Sequence, residues 1–202
     1  MSGFAVRRAE ATDRLVLERL WLMFRHDISE FGGQLPNPDG TFRSERLQAA
    51  FSDPDWEAQV IMQDDRPVGL AVIRGLASQV RVLSSFFVVR AVRRTGIGSR
   101  AVRDVVGQHP GRWEVPFQDN NLAAGRFWRR VVTEIAGDAW TEQHRPVPGQ
   151  PALPPDVWIS FEVAAGREPC AWAWSDSGGG VGTEGYRSCL QFAQRHVGEF
   201  GE

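Results

Sequence analysis

Between residues 82 and 109 an apolar strand runs into a glycine turn and out into an amphipathic helix. Val82-Leu83-Ser84-Ser85-Phe86-Phe87-Val88-Val89 is dense in β-branched and aromatic residues, as strands are. Arg93-Arg94-Thr95-Gly96-Ile97-Gly98 follows, and the spacing of Ala101, Val102, Val105 and Val106 predicts a helix from Gly98 to His109. Glycines in such a turn let the backbone approach a ligand with no Cβ in the way. The N–H groups that open the helix lack intrahelical acceptors and favour an anion. Arg90, Arg93, Arg94, Arg100 and Arg103 add positive charge, and no acidic residue intervenes before Asp104. The segment reads as a pyrophosphate cradle, against the plainer alternative of a glycine turn flanked by solubilising arginines.

Two better-known phosphate loops are excluded. A P-loop ends in Gly-Lys-Ser/Thr, and this chain has no lysine. A dinucleotide fingerprint needs a third glycine after Gly98 and a surrounding βαβ unit, and neither is expected here. The pattern Arg-x-x-Gly-x-Gly after an apolar strand instead resembles the acetyl-CoA pyrophosphate loop of the GNAT (GCN5-related) acyltransferases. A second segment supports the same family. Asn121-Leu122-Ala123-Ala124-Gly125-Arg126-Phe127-Trp128 follows the short apolar stretch Trp113-Glu114-Val115 and is similar to the family pattern Asn-x-x-Ala-x-x-Phe/Tyr-Tyr. The two motifs occur in the family's order and at its spacing. Asp27-Ile28-Ser29-Glu30-Phe31, Asp39-Gly40-Thr41-Phe42 and Gly111-Arg112-Trp113-Glu114-Val115 also resemble a little-characterised bacterial branch of predicted GNAT acetyltransferases.

Composition sets outer limits. The 202 residues suffice for one core of ordinary size. A net charge of −2, despite 23 basic residues that are all arginine, argues against a general nucleic-acid binder. Cys170 and Cys189 are too few for a disulfide framework and lack metal-ligand spacing, which fits a reducing cytoplasm and no metal. No apolar run approaches the roughly 20 residues of a membrane span, and the N-terminus has no signal-peptide layout. A cytoplasmic protein without membrane or nucleic-acid partners is expected.

Along the chain, Phe4 to Arg8 alternates as a strand. A helix capped by Thr12 or Asp13 is predicted to near His26, with Leu15, Leu17, Leu20, Leu22 and Met23 as its apolar positions. Residues 31–39 form a loop, and Ser44 caps a second helix to about Phe51. Residues 58–63 and 68–74 make a hairpin around Asp64-Asp65-Arg66-Pro67, joined by the strand at 81–89. A strand at 112–116, a helix at 121–135, a short strand at 139–141, a proline-rich loop at 146–155 and a closing strand at 157–163 complete the order. This is an α/β chain, and the resemblance implies the GNAT acyl-CoA N-acyltransferase fold, a mixed, mostly antiparallel sheet flanked by helices. A GNAT domain over residues 1–165 would then be followed by an extension, 166–202, in which Trp172 and Trp174 suggest an edge strand and 187–197 a short helix. The extension reads as a surface appendage, or alternatively as a lid or a homodimer contact.

The resemblance also implies a site. Backbone of the fourth strand at Val88, Val89 and Ala91 would pair with pantetheine, and Arg93, Arg94, Thr95, Gly96, Ile97, Gly98 and Ser99 would hold the diphosphate. Asn121, Ala124 and Trp128 would flank the arm. The N–H of Val88 or Val89 would meet the oxyanion of a tetrahedral intermediate. Many relatives carry a glutamate where this chain has Ser85, a hydroxyl that can orient water but is a poor base. Glu114 is the nearest carboxylate, as a base or as a solvated residue. Where relatives have a tyrosine acid, Trp128 cannot give up a proton, and Tyr186 lies far off in the extension. Asp27 and Glu30 would hold a cationic amine, or merely cap a helix end. The implied activity is acetyl transfer from acetyl-CoA to the primary amine of a small molecule. The absent glutamate and tyrosine leave open a module that binds acyl-CoA without turnover.

Overall fold

A computed structural model describes residues 3–147 and 153–164 of the chain. The expectations for residues 166–202 therefore lie outside the described residues, as does part of the proline-rich loop. In chain order the elements are β1 (Phe4–Arg8), α1 (Arg14–Gly32), α2 (Glu45–Ser52), β2 (Trp56–Gln63), β3 (Arg66–Arg74), β4 (Val80–Val88), α3 (Ile97–Gly107), β5 (Gly111–Gln118), α4 (Leu122–Ala136), β6 (Trp140–Arg145) and β7 (Asp156–Val163). They form a seven-stranded sheet in the order β1-β2-β3-β4-β5-β7-β6. Every neighbouring pair is antiparallel except β4 and β5.

Alternation along the strands divides the core between two faces. Ala71, Ile73, Trp113, Val115, Ile159 and Phe161 face α3 and α4. Leu70, Val72 and Phe87 face the other way, against Leu17, Leu20, Trp21 and Phe24 of α1 and Leu47 of α2.

Three expectations are corrected here. Helix α1 continues past His26 to Gly32, because its apolar stripe extends to the partly buried Ile28 and it stops only where Gly33 turns left-handed at φ 63°. Asp27 and Glu30 thus stand on the helix, and Leu15, Leu22 and Met23, taken as apolar positions, are exposed. β6 runs to Arg145 although Thr141 to Arg145 carries no apolar pattern, since an edge strand paired on one side needs none. Finally, β4, α3 and β5 do make a parallel βαβ crossover, though it is laddered over only three residue pairs in an otherwise antiparallel sheet, unlike the parallel sheet around a dinucleotide loop.

Two irregularities in β4 shape the centre of the sheet. Val72 lies opposite Ser85 and Ile73 opposite Leu83, so Ser84 is an extra residue, a β-bulge. On its other side β4 pairs with β5 only from Val80 to Val82, against Arg112 to Glu114. Beyond that point the two strands share no ladder, and the sheet opens in a V.

The N-terminal junction carries a pH-dependent contribution. Hydrogen bonds from Arg7, and then from the Glu10 N–H, lower the Asp13 pKa to about 2. A carboxylate depressed in the fold stabilises above its unfolded pKa, roughly 3.9, and the contribution disappears as pH falls through the folded value. Asp13→Asn is expected to flatten the acid limb of the stability profile between about pH 4 and pH 2, read from urea midpoints across pH.

Candidate functional site

The turn between β4 and α3 presents unbonded backbone donors. Gly96 adopts φ 89° with nothing within 4 Å of where a Cβ would stand, and Arg94 is also left-handed at φ 67°. The Arg100 N–H reaches the Gly96 carbonyl at 3.1 Å. The amides from Arg94 to Ser99 find no acceptor among the described residues. Thr95 closes the turn by donating its hydroxyl to the Val92 carbonyl at 2.7 Å. Gly98 is favoured for a different reason: a Cβ there would lie 3.2 Å from the Phe127 ring, so any larger residue would press the ring of α4 aside.

Less free charge surrounds the turn than its arginines suggest. Arg90 pairs with Asp27 at 2.7 Å. Arg93 pairs with Asp27 too and donates its Nε to the Val88 carbonyl at 2.9 Å. Arg103 pairs with Glu134 at 2.8 Å, and Arg100 lies 4.4 Å above the Phe4 ring. Arg94 is exposed and has no ion-pair partner among the described residues. An anion at this turn would therefore be met mainly by backbone N–H groups.

The open edge of β4 offers fewer groups than three residues would. The Val89 N–H donates to the Val68 carbonyl at 2.8 Å, which removes it as an oxyanion donor. Antiparallel ladders alternate, so the main chain of Val88, opposite Gly69, points away from β3 toward the V. Ala91 lies in a 3-10 turn, Arg90–Val92, and does not continue the strand. Val88 alone keeps the predicted orientation.

At the start of α4 the Asn121 side chain accepts the Ala124 N–H at 3.0 Å, so its oxygen caps the helix while its amide N–H groups stay available. Trp128 is buried, edge-on to Phe86 with ring centroids 5.6 Å apart. Ala124 is half-buried on the same helix.

Glu114 is not the free base that its position suggested. Arg145 grips both carboxylate oxygens, at 2.8 and 2.7 Å, and Ser160 donates to one of them at 3.1 Å. The Arg145 hydrogen bonds hold its pKa below the ordinary carboxylate value, against burial that would raise it. Its stabilising contribution is present above the unfolded pKa and is lost as pH falls through the lowered one. Glu114→Gln is expected to lower stability at neutral pH by on the order of 1 kcal/mol and to leave the acid limb of any pH–rate profile unmoved. Urea unfolding at pH 7 and a pH–rate series check the two halves separately.

Asp27 is likewise engaged. Burial would raise its pKa, but hydrogen bonds from Arg93 and Arg90 outweigh it and hold the group ionised and paired. It ties α1 to the turn between β4 and α3. Glu30 is exposed one turn further on. Beside Asp27 lies a cleft of about 600 Å³, walled by Leu22, Met23, His26, Phe42, Phe87 and Val89.

Sequence reasoning passed over three groups on the face of β4 that meets α1 and α2. Arg46 of α2 donates to the Ser84 carbonyl at 2.9 Å. Arg25 of α1 donates to Gln34 at 2.5 Å. Asp156, the first residue of β7, is half-buried, and burial raises its pKa while Arg46 opposes the shift. Nothing in the sequence distinguishes these two arginines from 21 other basic residues, because only the packing of α1 and α2 brings them together.

Comparison with known proteins gives the family. The chain matches the acetyltransferase (GNAT) family over residues 20–132. No curated protein sequence matches it. An acetyltransferase structure from Thermus thermophilus is similar at 17% identity and TM-score 0.57, over 79% of this chain and 97% of that one. The PaiA N-acetyltransferase of Thermoplasma acidophilum, solved with coenzyme A, is similar at 10% identity and TM-score 0.55, over 79% of this chain and 99% of that one. An aminoglycoside acetyltransferase with coenzyme A shows 15% identity and TM-score 0.55, over 79% and 95%. These likenesses establish the fold.

Proposed function

The chain belongs to the acetyltransferase (GNAT) family, and on that footing we propose that it transfers the acetyl group of acetyl-CoA to the amine of a small molecule. The observation that carries this reading is the run of unbonded amides from Arg94 to Ser99 at the end of a strand whose outer edge is unpaired. Such amides at a helix N-terminus fit a diphosphate, and the open space before Gly96 admits one. Arg94 supplies the charge nearest to hand. With its carbonyl taken by Arg93, Val88 keeps its N–H as the strand-edge donor open to coenzyme A, which supplies the activated acetyl group when bound.

The acceptor enters from the face of α1 and α2, where the 600 Å³ cleft is of a size that takes a small molecule. The amine must shed a proton before its lone pair can attack the thioester carbon. Two groups on that face suit the task better than Glu114. The buried Ser85 hydroxyl has no partner among the described residues and can hold a water. Asp156, held toward its protonated form by burial, is the more basic carboxylate. Charge developing on the carbonyl oxygen is met by the Val88 N–H, a donor fixed in advance by the β3–β4 ladder. Coenzyme A leaves as the thiolate, since a thiol pKa of roughly 8.5 requires no acid.

Calorimetric titration with acetyl-CoA, followed by thiol release over a panel of amines, tests the reading. Micromolar binding with release supports it. Binding with no release across the panel favours the non-catalytic acyl-CoA module, and no binding removes the cradle assignment.

A further inference from the structure

The bulge in β4 is surrounded by polar groups that the fold leaves incomplete. Ser85 lies opposite Val72, and Val72 packs with α1 and α2, so the serine side chain projects to that face. It is 4% exposed, and its hydroxyl has no hydrogen-bond partner among the described residues. Arg46 reaches the bulge from α2 through its bond to the Ser84 carbonyl. Arg25 comes from α1, and its Nε is buried without a partner. Neither guanidinium forms an ion pair among the described residues.

The charges around them do not balance. Arg25 feels Arg46, Arg43 and Glu45, and Arg46 feels Arg74, Asp156, Arg43 and Glu45. Burial first, and like charges second, disfavour the cationic form of both. By solvent accessibility, however, Arg46 is an exposed residue and Arg25 a half-buried one, so the buried part of each is confined to the side that meets the sheet. The group is separate from the walls of the 600 Å³ cleft beside Asp27. Buried donors are ordinarily satisfied, so a cluster with an idle buried Nε, an idle buried hydroxyl and two guanidinium groups without ion-pair partners among the described residues suits an oxyanion.

We propose that the acceptor is an amine that also carries an oxyanion, a carboxylate or a phosphate, bound by Arg25 and Arg46 beside the Ser85 hydroxyl. This rests on the acetyl-transfer reading of the same site. A guanidinium has five N–H donors in a planar fork, and Arg46 uses one of them on Ser84, leaving the others for the ligand. Asp156 on the same face answers the positive end of such a molecule. The cluster thus meets both signs of a zwitterion.

The test uses matched pairs. Thiol release from acetyl-CoA is measured with each common α-amino acid and its carboxamide, and with ethanolamine phosphate and ethanolamine. In parallel, coenzyme A-loaded protein is titrated calorimetrically with N-acetyl amino acids, their amides and the two ethanolamine compounds. The charged member of a pair is expected to lead by at least about tenfold in kcat/KM and in affinity. Preference for amino acids identifies a carboxylate, and preference for ethanolamine phosphate identifies a phosphate. Arg25→Met should reduce the lead to about twofold or less with little change in Tm, because the half-buried charge it removes has no ion-pair partner among the described residues and its one side-chain bond is to Gln34. Arg46→Lys keeps the charge, loses the fork and should reduce the lead in part. Equal or better performance by the neutral members overturns the proposal, as does an undiminished preference in Arg25→Met. So does silence in both measurements. Anion-selective binding with no thiol release overturns the acetyl-transfer reading alone and leaves the anion site standing.

Discussion

Gly96→Asp is expected to weaken coenzyme A binding by at least about a hundredfold while the protein stays folded. The residue has φ 89° and open space in front of its missing Cβ, so the new side chain meets no protein atom. Two effects then separate. The left-handed backbone disfavours any residue with a Cβ by roughly 1 kcal/mol, and Asp and Asn tolerate it best. The carboxylate also stands where the amides of Arg94 to Ser99 point, opposing the negative diphosphate by several kcal/mol, of which about 2.7 kcal/mol already equals a hundredfold. Gly96→Asn is the control, because it shares the backbone strain and the shape without the charge. Calorimetric Kd values for the wild type and both variants, with melting curves, decide the matter. An Asp variant that binds like the Asn variant would place the diphosphate elsewhere.

Trp113→Ala should be the most destabilising single truncation in the β5 region, by about 3–5 kcal/mol. Trp113 is 0% exposed and stands in the cluster that joins β3 and β4 to α3, α4 and β7. Its indole N–H also donates to the His109 carbonyl at 2.9 Å, anchoring the turn that leaves α3. Truncation opens a cavity the size of an indole and leaves that carbonyl without its donor. Against a total stability of roughly 5–15 kcal/mol, the loss is a third or more in most cases. Urea unfolding measures it, and a change below about 1 kcal/mol would mean that the cluster is not the structural centre of the sheet.

The fold was legible where local pattern and tertiary demand coincide. β1 was predicted at Phe4–Arg8 and β7 to within one residue, because alternation at a half-buried strand is written in the sequence. The glycine turn was legible too, since φ > 0 at Gly96 selects its residue type. α1 was read too short, because only contacts with the sheet show that Phe24 and Ile28 continue the stripe beyond the exposed Leu22 and Met23. The parallel pairing of β4 with β5 went unread for a related reason: three residue pairs of ladder leave no mark on either strand.

The site divides along the same line. The order strand, Arg-x-x-Gly-x-Gly, helix determined that backbone N–H groups would gather at one point, since a helix N-terminus after a flexible turn exposes them whatever surrounds it. The sequence could not assign its charges. Whether Arg93 faces a ligand or Asp27, whether Glu114 is a base or a partner of Arg145, and whether Val89 donates outward or to Val68 depend on residues 66, 31 and 21 positions away. Arg25, Arg46, Ser85 and Asp156 come from four separate elements and carry no shared spacing. Local conformational preference acts over a few residues and is written in the sequence, whereas desolvation and ion pairing act through space and are decided only when the helices close over the sheet.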